Sequence, residues 1–285
     1  MNLTDARIIL TGAAGGIGSA AAGRLAQMGA KLILTDLKQE HLDRLAANFG
    51  PNGVLATVAA DVGSDAGRSA LVSAAREHEA NVLINAAGLN PFGLFAEQTA
   101  ADVAKAFAIN ATAPLLLCHA LLPVLLERRS AHIVNVGSTF GSIGFPGFAA
   151  YSASKFAVRG FSEALRRELA DTTVRVHYVA PRATRTALAT DRIRAMNAEL
   201  GVGMDSPQTV AAAIEQVLRE ERSELLLGAP ERLFAKLNAL LPALVDRSVR
   251  RQLAVIRRYA APANDSGPRP AAAPVPITPL RSIES

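Results

Sequence analysis

Tyr151 and Lys155 stand four residues apart in the stretch A-A-Y-S-A-S-K. On a helix that spacing sets a phenol and an ammonium on one face. Ser138 follows the apolar run Ile133-Val134-Asn135-Val136, which reads as a buried parallel strand. Its hydroxyl can reach the same space. The three groups suit proton transfer to or from an alcohol oxygen. A free tyrosine titrates near ~10, too high for a base at neutral pH. An adjacent cation lowers that value, and a general acid/base works best with its pKa near the operating pH. Lys155 is expected to supply the shift and Ser138 to hold the substrate oxygen. Two ordinary surface residues would show the same spacing, so the elements around them must decide.

Arg7 to Thr11 is a short apolar run that leads into T-G-A-A-G-G-I-G (11–18) and an alanine-rich helical pattern. Strand, glycine turn and helix in that order are the context a phosphate cradle requires; the alternative is an ordinary strand-to-helix turn. Gly12 permits the tight turn, Gly16 lets backbone approach a ligand, and Gly18 lets the helix pack closely. The helix N-terminus offers unpaired N–H groups to a pyrophosphate. A second strand, Lys31 to Thr35, ends in Asp36, eighteen residues past Gly18. That is close to the ~20 expected of a carboxylate that accepts from an adenosine ribose. Such a carboxylate repels a 2′-phosphate and favours NAD over NADP; the alternative is a helix N-cap.

The alternation continues. Strands are expected near 53–59, 82–84, 133–136, 174–179 and 224–227, with helices at 64–79, 100–126, 150–169 and 207–222. Repeated β-α units imply a parallel sheet with helices on both faces. Ligands in such sheets bind at the carboxyl ends of strands. Gly12, Asp36, Asp61, Asn85, Ser138 and Pro181 all fall there. Residues 187–205 are polar, as a mobile substrate lid would be. The expected fold is α/β, a Rossmann-like doubly wound parallel sheet of about seven strands over 1–228. A basic amphipathic helical extension at 229–261 and a disordered tail at 262–285, rich in Pro, Ala and Ser, complete it.

Composition narrows the function classes. The single cysteine, Cys118, excludes an intrachain disulfide and fits a reducing, cytoplasmic compartment. The N-terminus shows no basic region before an apolar stretch, so no signal peptide is expected. The apolar run 111–126 is broken by His119 and Pro123, too short for a membrane span of about 20 residues. Five scattered histidines and one cysteine make no metal-ligand cluster. Residues 230–261 carry seven basic side chains against two acidic ones, an excess equal to the whole chain's +5. The high isoelectric point is therefore a property of this segment, and no nucleic-acid signature accompanies it. Its apolar residues Leu233, Leu237, Leu240, Leu241, Leu244, Val245, Val249, Leu253 and Ile256 recur at helical spacing and must be buried somewhere: in the core, against a partner subunit, or on a membrane surface.

With these residues assembled, residues 4–228 resemble a classical short-chain dehydrogenase/reductase. The resemblance rests on T-G-x-x-x-G-I-G at 11–18, Asp36, Asp61, N-A-A-G at 85–88, Asn110, Ser138 and Tyr151-x-x-x-Lys155. It implies a catalytic tetrad of Asn110, Ser138, Tyr151 and Lys155. Tyr151 would be the acid/base, Ser138 the group that polarises the substrate oxygen, and Lys155 the ligand of the nicotinamide ribose. Asn110 would hold a water in the proton relay. Cofactor contacts are implied for Gly12, Gly16, Ile17, Gly18, Asp36, Asp61, Val62, Asn85, Ala87, Gly88, Tyr151, Lys155, Pro181, Thr184 and Thr186. Two departures stand out: Ala86 where the family has asparagine, and Arg182 where it has glycine, which puts a cation near the nicotinamide end.

The expected activity is hydride transfer between NAD(H) and a lipophilic alcohol or ketone. Phe92, Phe95, Phe140, Phe145 and Phe148 would supply an apolar pocket. The alternatives are an NADPH-dependent 3-oxoacyl reductase and a dinucleotide-binding sensor that has lost catalysis. The family resemblance implies a homodimer or homotetramer formed through helices 100–127 and 150–170. Peripheral membrane contact through 230–261 is a further expectation.

Overall fold

The computed structural model describes residues 1–50 and 53–261, so the expected tail at 262–285 lies outside the described residues. The elements run β1 (Arg7–Thr11), α1 (Gly16–Gln27), β2 (Lys31–Asp36), α2 (Gln39–Ala46), β3 (Val54–Ala59), α3 (Asp65–Glu77), β4 (Val82–Asn85), α4 (Ala100–Phe107), α5 (Ala113–Leu126), β5 (Ala131–Val136), α6 (Ala149–Glu168), β6 (Val174–Ala180), α7 (Asp191–Glu199), α8 (Pro207–Glu220), β7 (Glu224–Leu226), α9 (Ala229–Leu240) and α10 (Pro242–Ala260). The strands form one seven-stranded parallel sheet in the order β3-β2-β1-β4-β5-β6-β7. The strand order reverses between β1 and β4, which opens a crevice at their carboxyl ends.

The strands are largely apolar because both sheet faces are covered, with His132, Asn135 and His177 as buried polar exceptions in β5 and β6. Side chains alternate across the sheet. Ile8, Leu10, Leu32, Leu34 and Val134 face one core with Leu25 of α1 and Ile214 and Val217 of α8. Ile9, Ile33, Leu83 and Ile133 face the other, with Leu71 of α3, Leu117, Leu121 and Val124 of α5, and Leu165 of α6. Local chemistry sets the helix starts. Ser64 caps α3, Ser206 with Pro207 starts α8, and a Thr99–Asp102 capping box starts α4.

Three expectations change. The helical stretch Ala100–Leu126 is 27 residues, long and apolar enough to cross a membrane by length and composition. Half of its most apolar window is buried in the fold, because Leu117, Leu121 and Val124 are core residues. Residues 187–205 contain α7, whose Ile193 and Met196 are buried with Ala189, so the segment is a packed wall. Its polar composition hid an apolar set at i, i+4 and i+7. The apolar stripe of α9–α10 divides. Val245 and Ile256 are buried, whereas Leu233, Leu240, Leu241 and Leu244 are exposed. Leu241 leaves helical geometry ahead of Pro242, so α9 and α10 turn different faces to the core.

Candidate active site

The glycine turn is built by close backbone approach. Gly12 has φ +64°, and a Cβ there would meet the Ala87 backbone at 2.8 Å. The first βα turn and the N-A-A-G turn are thus stacked on one another. Thr11 joins them further: its Oγ1 accepts from the backbone N–H groups of Ala86 (3.0 Å) and Ala87 (3.2 Å). A Cβ on Gly18 would lie 2.1 Å from the Gly12 carbonyl oxygen, which is how α1 starts so close to the turn. A Cβ on Gly16 would lie 2.8 Å from the Thr186 methyl carbon, so this glycine admits another side chain of the site.

No side chain caps α1, so its first amides and positive dipole end stay available to an anion. Across the turn, the Asp36 carboxylate accepts from Ala14 N (3.1 Å) and Leu37 N (2.8 Å). The N-cap of α2 is Lys38, which removes the capping alternative for Asp36. Asp61 Oδ1 accepts from Gly63 N at 2.8 Å, and the Val62 carbonyl accepts from Arg68. Asn85, expected at the cofactor, keeps only its backbone at the strand end. Its amide turns into the core, donating to Asn135 Oδ1 (2.8 Å) and Cys118 Sγ (3.3 Å). Asn135 donates in turn to Ser162 Oγ (2.9 Å), so Asn85 ties β4 to β5 and α6.

Asn110 sits in a π-helical turn, Ala108–Thr112, between α4 and α5. Such wide turns recur at functional sites. Its amide holds Leu89 from both sides, accepting from Leu89 N (2.7 Å) and donating to Leu89 O (2.9 Å). It also donates to Ser154 Oγ (3.1 Å), which donates to the Tyr151 carbonyl (2.7 Å). Lys155 is buried and donates from Nζ to Val136 O at 3.0 Å. A Cβ on Gly88 would stand 3.2 Å from Asn110 Oδ1 and 3.8 Å from Lys155 Nζ. The bare backbone of Gly88, the uncapped helix and Asp36 together fit a dinucleotide laid across the β1/β4 crevice.

Ser138 and Tyr151 share a cavity of about 450 Å³ with Ile17, Pro181, Thr184 and Thr186. Phe140 and Phe145 stack at 5.0 Å, and the Tyr151 ring meets Phe140 and Phe148 edge-on at 6.4 and 6.2 Å. Phe92 joins at 4.8 Å from Phe148, while Phe95 is exposed and takes no part. Burial pushes the Tyr151 phenol above its usual value, and the Ser138 hydroxyl draws it part of the way back. Burial also pulls the Lys155 ammonium down, to about 8. The expected lowering of Tyr151 by Lys155 is therefore absent from this structure. The ammonium lies 5.8 Å from the ring centroid, and loss of solvent outweighs it.

Sequence reasoning missed the groups that fix Ser138 and Arg182 and the share of α9 and α10 in the cavity. Tyr178, buried in β6, accepts from Ser138 N (3.3 Å) and donates to Ser138 O (3.2 Å). A Cβ at Gly137 or Gly141 would overlap its hydroxyl, at 2.1 and 2.4 Å. Two glycines flanking Ser138 were the only signal. Arg182 is clamped by Asp205 (2.9 and 2.8 Å) and by Glu231 of α9 (3.4 Å). Those acids hold its guanidinium firmly charged. The cation flagged in the sequence thus joins the loop after β6 to the C-terminal helices. Phe234, Val245, Val249 and Gln252 complete the cavity wall, so α9 and α10 belong to the site.

A model of the short chain dehydrogenase family matches residues 6–197. The chain is 30% identical over 258 residues to a ketoacyl reductase, HetN, of Nostoc sp., covering 87% of this chain and 89% of that one. A short-chain dehydrogenase/reductase from Burkholderia phymatum, solved with NAD, aligns with TM-score 0.77 at 26% identity, over 86% of this chain and 96% of that chain. A short-chain dehydrogenase from Sphingobium yanoikuyae, solved with NADPH, aligns with TM-score 0.71 at 28% identity, over 85% and 96%. With the sheet order, the glycine turn and the Ser138–Tyr151–Lys155 cluster in place, these matches show that the chain belongs to the short-chain dehydrogenase family of NAD(P)-dependent oxidoreductases.

Proposed function

We propose that this enzyme transfers hydride between NAD(H) and the carbinol or carbonyl carbon of a lipophilic secondary alcohol or ketone. The observation that carries this reading is that Ser138 and Tyr151 line one cavity with Phe140, Phe145, Phe148, Ile193, Met196 and Val249. NAD(H), when bound, supplies or accepts the hydride. The Ser138 hydroxyl orients the substrate oxygen. Burial keeps Tyr151 protonated at neutral pH, so in ketone reduction it releases its proton to that oxygen. The Lys155 ammonium, facing the ring, offsets the charge left on the phenolate. Asn110 spaces Leu89 and the first turn of α6 around this centre. Alcohol oxidation needs the phenolate first, so its rate will climb with pH.

Asp36 supports NAD over NADP, because a 2′-phosphate beside a carboxylate is a like-charge contact. Lys38, exposed at the start of α2, is the nearest opposing cation in sequence. Likeness to the Nostoc ketoacyl reductase favours a β-oxo acyl chain as one form of substrate. We further infer a homodimer or homotetramer through α5 and α6, which leave Leu116, Leu126 and Phe156 exposed; sedimentation velocity tests it. The cytoplasmic location expected from the lone cysteine remains part of this proposal. Cys118 is buried, with its thiol pushed up to about 12, and cell fractionation checks the location.

The main test follows NADH absorbance across ketones of graded size and polarity, with a β-oxo thioester among them. Turnover should rise with apolar bulk, and Tyr151→Phe should lose roughly 10²–10⁴-fold while NADH affinity holds. Near-normal turnover in that variant would sink the assignment.

A further inference from the structure

The outer face of the α9–α10 hairpin has two features that no element among the described residues answers. At its tip, Leu240, Leu241 and Leu244 are 78, 53 and 54% exposed, and Leu233, one helical repeat before Leu240, is 58% exposed. Leucines on a core-facing helix are normally covered, and a cluster of this kind marks an interaction surface. Behind the tip, Arg232, Lys236, Arg247, Arg250, Arg251 and Arg257 are all exposed. Among the described residues this segment makes ion pairs only through Arg258, with Glu199, and Glu231, with Arg182. Asp246 is the one acidic side chain on α10.

The inner face of the same hairpin is committed elsewhere. Val245, Val249 and Gln252 line the substrate cavity, Ile256 is fully buried against Phe148 and Met196, and Arg192 fastens the end of α10 through the Tyr259 carbonyl at 2.9 Å. The outer face is therefore presented by a fixed helix pair. Its leucine tip cannot be satisfied by rotating either helix inward.

We propose that this face docks on an anionic lipid bilayer. The leucines would enter the acyl boundary and the unpaired basic residues would lie among the headgroups. Apolar insertion beside basic side chains is the chemistry of an interfacial helix. Each basic residue near such a surface strengthens binding by roughly fivefold. An acidic protein would match the charge but leaves the leucines unexplained. A second copy would cover the leucines but set the same basic faces near one another. Docking here would bring the mouth of the cavity, whose wall includes Phe234, to the phase in which a lipophilic substrate is dissolved.

The test uses the full chain and co-sedimentation with vesicles of phosphatidylcholine alone or mixed with phosphatidylserine, at low and high salt. No turnover is needed, so its failure is distinct from failure of the proposed activity. Binding is expected to the mixed vesicles, with a loss on the order of tenfold at high salt. Leu240→Ser/Leu241→Ser/Leu244→Ser should weaken it on the order of a hundredfold. Arg247→Glu/Arg251→Glu should do so by more than about tenfold, with turnover on a soluble ketone unchanged in both. If the serine variant does not fold, the arginine pair carries the test. No binding to mixed vesicles, equal binding to neutral ones, or wild-type binding by the arginine variant overturns the proposal. So does an assembly that the leucine substitutions dissociate while vesicles are ignored.

Discussion

Tyr178→Phe removes one oxygen and leaves the ring that fills β6. In the native chain that oxygen accepts from Ser138 N at 3.3 Å and donates to Ser138 O at 3.2 Å. Tyr178 is 1% exposed, and its hydroxyl occupies the room left by Gly137 and Gly141. Both bonds are long, so each contributes near the lower end of the ~0.5–1.5 kcal/mol net range. The larger cost is the buried Ser138 N–H left without a partner, about 1–3 kcal/mol when water cannot reach it, whereas Ser138 O keeps the Gly141 N–H at 2.9 Å. A destabilisation of about 2 kcal/mol follows, which in a chain of this size lowers Tm by roughly 4–8 °C. The functional effect is separate. Ser138 would lose the tie from its own N–H, though Gly137 N and Thr139 N keep theirs to β6 and the loop after it, and small misplacements at a reacting centre cost up to ~10²-fold. We expect kcat for ketone reduction to fall on the order of tenfold, with KM for NADH nearly unchanged because the glycine turn is remote. Steady-state kinetics by NADH absorbance and a thermal melt together read both effects. A variant that loses Tm with unaltered kcat would show that Tyr178 is structural only. Unaltered Tm as well would refute the reasoning. A companion cycle sharpens it: Gly137→Ala should be severe alone, since its Cβ overlaps ring carbons at 2.2 Å as well as the hydroxyl, and mild in a Tyr178→Ala background.

Asp36→Ala should narrow the preference for NADH over NADPH, mainly through KM. A wild type that prefers NADPH would show that the carboxylate does not face the ribose. The stacked pair His132 and His177, joined Nδ1 to Nε2 at 2.9 Å, is buried and both rings are held below their usual pKa by loss of solvent, His132 at about 4. The unfolded chain binds protons at these sites near ~6.5, so between there and about 4 it binds more than the native state. Stability is therefore whole above the unfolded value and lost as pH falls through that window. The urea midpoint should drop with acid across it, and His132→Asn should flatten the slope; a slope unmoved by that change would place the titration elsewhere.

The residues that define the fold class were legible because their signals are local. Strand burial on both faces appears as largely apolar runs, and the Gly12–Gly18 turn between strand and helix is a short-range conformational requirement. The i, i+4 pair Tyr151 and Lys155 is juxtaposed by helix geometry before any tertiary contact forms. Asp36 could be placed because strand length and turn length together bring it to the sheet's carboxyl edge.

What tertiary structure alone decided depends on which surfaces meet. Asn85 occupies a strand end from which a side chain can face ligand or core. Only the presence of Asn135, Ser162 and Cys118 beneath it turns it inward. Tyr178 reads as one more buried strand residue until two glycines forty residues upstream leave room for its hydroxyl beside Ser138. Arg182 reads as a charge near the nicotinamide end until Asp205 and Glu231 close on it. The same holds for the C-terminal stripe. Helical period tells that leucines and valines share a face, but Pro242 resets the phase. Packing against α7 and the cavity then selects Val245 and Ile256 for burial and leaves the leucine tip outside. Period is a property of one segment, whereas burial belongs to the pair of surfaces that come together.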